Sequence, residues 1–263
     1  MEKAKDSSLL RALEAVVRGA GALAREKTLQ SSVHIKGSND FVTDADLAVS
    51  AYLEERLPTL IEGSRVLSEE DAEKTGIDGR VFIIDPIDGT TNLMYGMNMS
   101  VVSVGYCVDG VPMLAAVYQP FTDEMFTAER GCGAFLNGQP IHVNADAKVC
   151  DAMIGVEIGP VTRMEQGKFF EAMFALQKEC RGLRLTGSAA LDLCLIACGR
   201  LTAAAYHYLY PWDFAAGLLL VEEAGGRVSL MDGGAPVFTG RSRPLLSSNG
   251  LVHDELLAAF EGV

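Results

Sequence analysis

Residues 81–92 read Val-Phe-Ile-Ile-Asp-Pro-Ile-Asp-Gly-Thr-Thr-Asn, and the reading of this stretch governs fold and chemistry alike. Val81–Ile84 is an apolar run of the length of a buried strand, and Asp85 stands at its C-terminal end. Pro86 has no N–H and holds the residue before it extended, so ladder pairing is expected to stop at Asp85 and the chain to turn. That turn would bring Asp85 and Asp88 to one side. Two carboxylates against apolar residues repel each other unless a cation lies between them. All-oxygen donors suit Mg²⁺, with the Ile87 carbonyl as a natural third oxygen. Gly89 permits a close backbone approach, and residues 90–92 start a helix whose free N–H groups favour an anion. Carboxylates for a metal beside a cradle for phosphate imply metal-assisted phosphoryl chemistry. The bland alternative is an Asp-Pro turn before a helix cap, since Asp, Pro and Gly are what turns are made of.

Acids elsewhere bear on that choice. Glu69 and Glu70, in VLSEED, follow a short apolar run upstream of Asp85. Asp213, in PWDFAAG, opens a helix whose apolar residues Phe214, Leu218 and Val221 pin it to the core. Asp44 and Asp46, in FVTDAD, are ordinary helix-starting acids taken alone. A carboxylate at a helix start is often only a cap.

Upstream of the central stretch, Leu9, Leu10, Leu13, Val16, Val17 and Ala20 recur at helical spacing. A loop is expected around Lys36, and then a helix over about 44–57 stopped by Pro58. Strands are expected over 64–67, 81–84, 101–108, 113–119, 126–129 and 133–136, with Asp109-Gly110 and Asn137-Gly138 as hairpin turns. The first part, to about residue 147, therefore reads as helices on a largely antiparallel sheet. From about 148 strands and helices alternate: strands 153–158, 183–185, 203–209 and 225–230, and helices 164–178, 188–197 and 214–224. That rhythm places an α/β layer beside the first sheet. No repeat or linker divides the chain, so residues 1–263 are expected to form one domain.

Composition excludes several classes. The chain has 263 residues, 49% of them hydrophobic, enough to support a core. Its 22 basic and 35 acidic residues give a formal charge of −13, so no basic footprint for nucleic acid or anionic lipid exists. Cys107, Cys132, Cys150, Cys180, Cys194 and Cys198 form no CxxC pair. MEKAKDSSLL lacks the apolar centre of a signal peptide, and the stretch 93–108 is too short and Gly-broken to cross a bilayer. A cytoplasmic setting is the expectation, with no membrane or nucleic-acid partner.

DPIDGTTN at 85–92 and PWDFAAG at 211–217, in this order and spacing, resemble the two signature segments of the inositol monophosphatase family of Mg²⁺-dependent, lithium-sensitive phosphatases. VTDAD at 42–46, the Glu pair at 69–70, GAFLNG at 133–138 and TGSAA at 186–190 have counterparts there too. The resemblance covers almost the whole chain. It implies an α+β or α/β fold, the layered αβαβα sandwich of the inositol monophosphatase and fructose-1,6-bisphosphatase type, usually as a homodimer. It also implies two or three Mg²⁺ ions. Glu69, Asp85 and the Ile87 carbonyl would hold the first, Asp85, Asp88 and Asp213 the second, and Glu69 would share a third. Thr90, bonded to Asp46, would orient and help deprotonate the attacking water, with Glu70 in support. Gly89 and Thr90 would bind phosphate, Asp88 and Asp213 would also border the substrate, and Gly187, Ser188 and Ala189 would line its alcohol side. No covalent intermediate is needed.

The resemblance thins on the leaving-group side. Members acting on inositol phosphate commonly carry a Glu seven residues before the second signature Asp. Tyr206 stands there, beside His207, and Pro160 follows Gly159 where a small polar residue is common. Thr91 stands where the nucleotide-bisphosphatase branch tends to have Lys. The implied substrate is a small phosphomonoester, first inositol 1-phosphate, with fructose 1,6-bisphosphate, histidinol phosphate and adenosine 3′,5′-bisphosphate as alternatives. Arg184 or Arg200 would serve a second phosphate. A non-catalytic regulator on the same fold is the alternative from another class, but none of the metal carboxylates is missing. Gly131-Cys-Gly133 is not followed by a helix, which rejects a dinucleotide loop. Ser188 lacks the surroundings of a nucleophile. His34, His142 and His253 read as incidental, and Trp212 as core or dimer packing.

Overall fold

The computed structural model describes residues 8–30, 32–37, 40–69, 76–157, 167–238 and 243–261. The expected Ile158 end of one strand, the 164–166 start of one helix, Pro160 and Glu70 lie outside these residues. The chain begins with α1 (Ser8–Ala24), a short α2 (Lys27–Gln30), the antiparallel pair β1 (Val33–Gly37) and β2 (Asp40–Thr43), and α3 (Asp44–Leu60). Next come β3 (Arg65–Ser68), β4 (Arg80–Asp88), the five-residue α4 (Thr90–Met94), and β5 (Val101–Val108). A meander of β6 (Val111–Gln119), β7 (Glu124–Glu129), β8 (Gly133–Leu136) and β9 (Gln139–Ile141) completes a seven-stranded sheet in sequence order. Only its β3–β4 pair is parallel.

The rest of the chain contributes β10 (Met153–Glu157), α5 (Gly167–Glu179), β11 (Gly182–Arg184), α6 (Ala189–Ala197) and β12 (Ala203–Leu209). Then follow α7 (Pro211–Glu223), β13 (Arg227–Leu230), β14 (Arg243–Ser248) and α8 (His253–Ala259). The second sheet runs β11-β10-β12-β14-β13, with β10 parallel to both neighbours and β14 antiparallel to both of its own.

Three apolar cores stack these elements into five layers. One lies between α1 and α3 and the first sheet, around Leu13, Leu53, Phe82 and Ile84. The second joins the other face of that sheet through α6 and α7 to the second sheet, around Ile83, Leu193, Leu219 and Tyr206. The third packs α5 and α8 on the outer face, around Phe169, Leu246 and Phe260. This is the expected αβαβα sandwich. α6 and α7 are apolar almost all round because both of their sides are covered. Their close fit depends on two glycines. A Cβ on Gly105 of β5 would sit 3.0 Å from the Ala216 nitrogen of α7, and one on Gly217 would strike the Leu193 side chain of α6.

The structure corrects several expectations. Pro58 does not stop α3, which runs to Leu60; in the last turn a proline forfeits only one hydrogen bond and the fixed φ is already helical. Nor does pairing end at Pro86. β4 continues, with Asp85 opposite Ser103 and Asp88 opposite Val101. Three steps on β4 thus match two on β5, a one-residue bulge. Lys36, expected in a loop, lies instead within strand β1, which pairs with β2. β9, β14 and α8 were not anticipated, and His253, expected to be incidental, is fully buried, with Nε2 2.9 Å from Ser229 Oγ and Nδ1 2.8 Å from Ser248 Oγ. Burial pushes its pKa down to about 4, so the ring bridges the two serines uncharged. Among the described residues, no helix is long and apolar enough to cross a membrane.

Candidate active site

The bulge in β4 builds the site. Along a regular strand, residues three apart point to opposite faces. Ser103 and Val101 are two apart and share a face, so their partners Asp85 and Asp88 share it as well. That face looks toward α6 and α7, while Ile87 packs into the core beneath α1 and α3. Asp85 is 2% exposed, and its Oδ1 is buried without a hydrogen-bond partner. Burial, and then repulsion from Glu69, Asp88, Asp213 and Asp46, pushes its pKa well above the carboxylate range.

Asp88 is also buried but better held. Its Oδ2 accepts from Ser188 Oγ at 2.7 Å and from the Ala190 N–H at 2.6 Å, at the start of α6. Burial raises its pKa to about 6 against those hydrogen bonds. Asp213 is the third residue of α7, where its Oδ2 caps the Tyr210 N–H at 2.7 Å. Burial, then the charge of Asp88, raises its pKa well above normal. Glu69 follows β3 and adds to this repulsion.

On the other side, Gly89 adopts φ +88° and turns the chain into α4. A Cβ there would lie 2.9 Å from the Met99 carbonyl oxygen, so glycine is required both by conformation and by space. Thr90 Oγ1 lies 2.9 Å from Asp46 Oδ1 and 3.0 Å from the Ile87 carbonyl oxygen, and its one proton serves one acceptor at a time. Asp46 is fixed in turn by accepting from the Thr43 N–H at 2.8 Å. Burial raises the Asp46 pKa, opposed by its bonds with Thr43 and Thr90.

Glu69, Asp88, Gly89, Thr90, Thr91 and Asp213 line a cleft of about 290 Å³, together with Phe41, Glu157, Gly187, Ala189, Tyr208, Leu209, Tyr210 and Trp212, while Asp46, Asp85 and Ile87 lie behind this lining. The Tyr210 and Trp212 rings stack at 4.9 Å, so Trp212 belongs to the cleft wall as well as to the core. A crevice of about 320 Å³ beside α8, lined by Met231, Asp232, Gly233, Leu257, Ala258, Phe260 and Glu261, has, among the described residues, only the exposed acids Asp232 and Glu261 and no buried carboxylate.

Two residues expected on the substrate's alcohol side are not cleft residues. Tyr206 is fully buried in the core between the sheets. Ser188 is also fully buried; its hydroxyl caps α6 and holds Asp88. His207 is packed between the Phe169 and Tyr208 rings. Arg200 forms a two-pronged bond with Glu124, at 3.0 and 2.5 Å, and neither it nor Arg184 lines the cleft. Sequence reasoning overlooked Asp192 and the cleft role of Glu157. Asp192, on α6, is fully buried; Thr186 Oγ1 donates to its Oδ1 at 2.8 Å, and its Oδ2 has no partner. Burial raises its pKa to about 8. Its place in the first turn of an otherwise apolar helix was the available signal.

The donor set suits a hard divalent cation: buried carboxylates, one with an orphaned oxygen, and a nearby backbone carbonyl. Among the described residues, no three acids are already drawn together as closely as bound-ion ligands, so the set matches in kind rather than in finished geometry.

A five-layer sandwich with an acid-lined cleft where β4, α6 and α7 meet defines a class of phosphomonoester hydrolases. The inositol monophosphatase family model matches residues 5–263. An inositol-1-monophosphatase of Rhizobium meliloti is 38% identical over 232 residues, 87% of each chain. The Nus factor SuhB of Salmonella typhimurium is 36% identical over 233 residues, 86% of this chain and 87% of that one. The crystal structure of the extragenic suppressor protein suhB from Bartonella henselae superposes with TM-score 0.88 at 30% identity, covering 98% of this chain and 100% of the other. The chain belongs to the inositol monophosphatase family, whose members are phosphatases and generally metal-dependent.

Proposed function

We propose that this protein hydrolyses a small phosphomonoester, foremost inositol 1-phosphate, using Mg²⁺ and water, and that residues 1–263 act as one catalytic unit within a cytoplasmic homodimer. The observation that carries this reading is Asp85 Oδ1, a buried carboxylate oxygen without a partner among acids that repel it. Glu69, Asp85 and the Ile87 carbonyl would hold one ion, Asp85, Asp88 and Asp213 a second, and Glu69 would share a third. When bound, Mg²⁺ would lower the pKa of water and neutralise charge on the phosphoryl group.

The chain's own groups do the rest. Asp46 accepts the Thr90 proton, which leaves a Thr90 lone pair to orient the attacking water and take its proton. Glu70 would support that water. The backbone of Gly89 and Thr90 binds phosphate oxygens, and Gly187 and Ala189 border the alcohol. Attack in line with the departing oxygen requires positioning and electrostatic stabilisation rather than a covalent intermediate.

The test is phosphate release from inositol 1-phosphate, fructose 1,6-bisphosphate, histidinol phosphate and adenosine 3′,5′-bisphosphate, with and without Mg²⁺. Metal-dependent turnover, fastest on inositol 1-phosphate and inhibited by lithium, is expected. Absence of release from all four would refute the reading. It would favour a regulatory protein, a second reading prompted by the relative called Nus factor SuhB.

A further inference from the structure

Among the described residues, Glu157, the last residue of β10, is the one cleft-lining acid that the phosphatase reading leaves without work. Its Oε2 is shut off from solvent and has no hydrogen-bond partner. A buried carboxylate oxygen left unbonded is costly, and natural structures keep such groups mainly where something else completes them. Two features of the fold hold it in place. Glu157 is the register partner of Tyr206 on β12, so the two side chains stand together on the sheet face turned toward α6. The fully buried Tyr206 ring fills the space beside it. Two residues earlier on the same face, Gly155 leaves room for the Asp192 carboxylate, so Glu157 has an acid rather than a base behind it.

The surroundings define what the carboxylate can meet. Among the described residues no Lys, Arg or His lines the cleft, so none of these offers a counter-charge to a second phosphate on the substrate. Burial, and then repulsion from Asp88, Asp213 and Asp192, raises the Glu157 pKa well above normal. Glu157 therefore sits near the reacting end of the cleft. Tyr208, Tyr210 and Trp212 also line the cleft, aromatic surfaces that pack against the apolar face of a ring.

We propose that Glu157 is a specificity-determining residue whose carboxyl group takes hydrogen bonds from hydroxyls on the alcohol part of the substrate, selecting monophosphate esters of polyols over bisphosphates and over esters without hydroxyls. This deepens the phosphatase reading above and rests on it. A site built to bond a hydroxyl discriminates strongly against analogues that lack one, because its buried polar group is then left unpaired.

The test compares Mg²⁺-dependent kcat/KM for inositol 1-phosphate, glycerol 2-phosphate, isopropyl phosphate, phosphoethanolamine and p-nitrophenyl phosphate, in the wild type and in Glu157→Gln and Glu157→Ala. The wild type is expected to prefer glycerol 2-phosphate to isopropyl phosphate, which has the same skeleton without hydroxyls. In the variants the ratio of inositol 1-phosphate to p-nitrophenyl phosphate turnover should fall about 10- to 100-fold, mainly through KM. The Mg²⁺ activation curve should keep its midpoint. The wild-type series stands even if a variant fails to fold. Equal losses on all esters, or a shifted Mg²⁺ midpoint, would make Glu157 part of the metal site and overturn the proposal. A loss greatest for phosphoethanolamine would overturn it in favour of an ammonium group. Wild-type indifference to hydroxyls would sink it while leaving the phosphatase reading intact. Failure to hydrolyse any ester would sink the phosphatase reading itself, and this inference with it.

Discussion

Replacing Asp192 with Asn should stabilise the protein, increasingly so as pH rises. The carboxyl group is 0% exposed, keeps one oxygen unpartnered, and has its pKa raised from 3.8 to about 8. An acid whose folded pKa is raised is harmless below its unfolded pKa and becomes a liability as pH climbs between the two values. Each pH unit in that interval costs about 1.4 kcal/mol. At pH 7 the interval already spans roughly three units, so the wild type forgoes on the order of 4 kcal/mol relative to a side chain that never ionises. Asn supplies one. Its oxygen can accept from Thr186 Oγ1, and its N–H₂ sits where the protonated acid would carry its own proton, so the hydrogen-bond pattern is kept. The measurement is urea unfolding followed by Trp212 fluorescence, the chain having a single tryptophan, from pH 5 to pH 8. The variant's advantage should be about 1–2 kcal/mol at pH 5 and grow to about 4 kcal/mol at pH 7. Parallel stability curves for the two proteins, or a variant weaker at pH 7, would refute the reasoning.

Asp88→Asn should lower turnover by orders of magnitude while circular dichroism stays unchanged; near-normal turnover would remove Asp88 from the proposed metal site. Mg²⁺ at a hundredfold its Kd should stabilise the wild type by about 2.7 kcal/mol, whereas Asp85→Asn should melt higher than the wild type in chelator and respond less to Mg²⁺. A thermal scan series with EDTA and Mg²⁺ checks both halves. Gly89→Ala places a Cβ against the Met99 carbonyl in a left-handed conformation. It should cost about 1–3 kcal/mol of stability, readable as a lower melting temperature, and should lose activity as well.

The layers were legible in the sequence because they rest on periodicity. The apolar spacing of α1, the alternation after residue 148, and the Asp109-Gly110 and Asn137-Gly138 turns each report local physics. The bulge in β4 was not legible: Pro86 truly lacks a donor, but whether the next strand waits for Asp88 to resume pairing is decided by β5, not by the residues around the proline. The same limit explains Tyr206. Counting back from Asp213 locates a residue along β12, but which neighbour reaches the cleft depends on the register of β10 beside it, and that register brings Glu157 there. Among the site acids, Asp85, Asp88 and Asp213 stood in motifs. Asp192 did not, since an acid in an apolar helix is noticed only once both sides of that helix are covered.

The close approach at Gly105 has a consequence for where damage would be felt. α7 carries Asp213, and its distance from the acids of β4 is set by how deeply the helix beds into the sheet across β5. The spacing of the proposed metal-binding carboxylates is thus inherited from a depression in hydrocarbon, at a position with no side chain at all. A methyl group there would lift the helix by a few tenths of an ångström or more and open the catalytic gap, though every acidic group stayed in place. A survey of folded but inactive variants should therefore flag position 105 alongside the acids themselves.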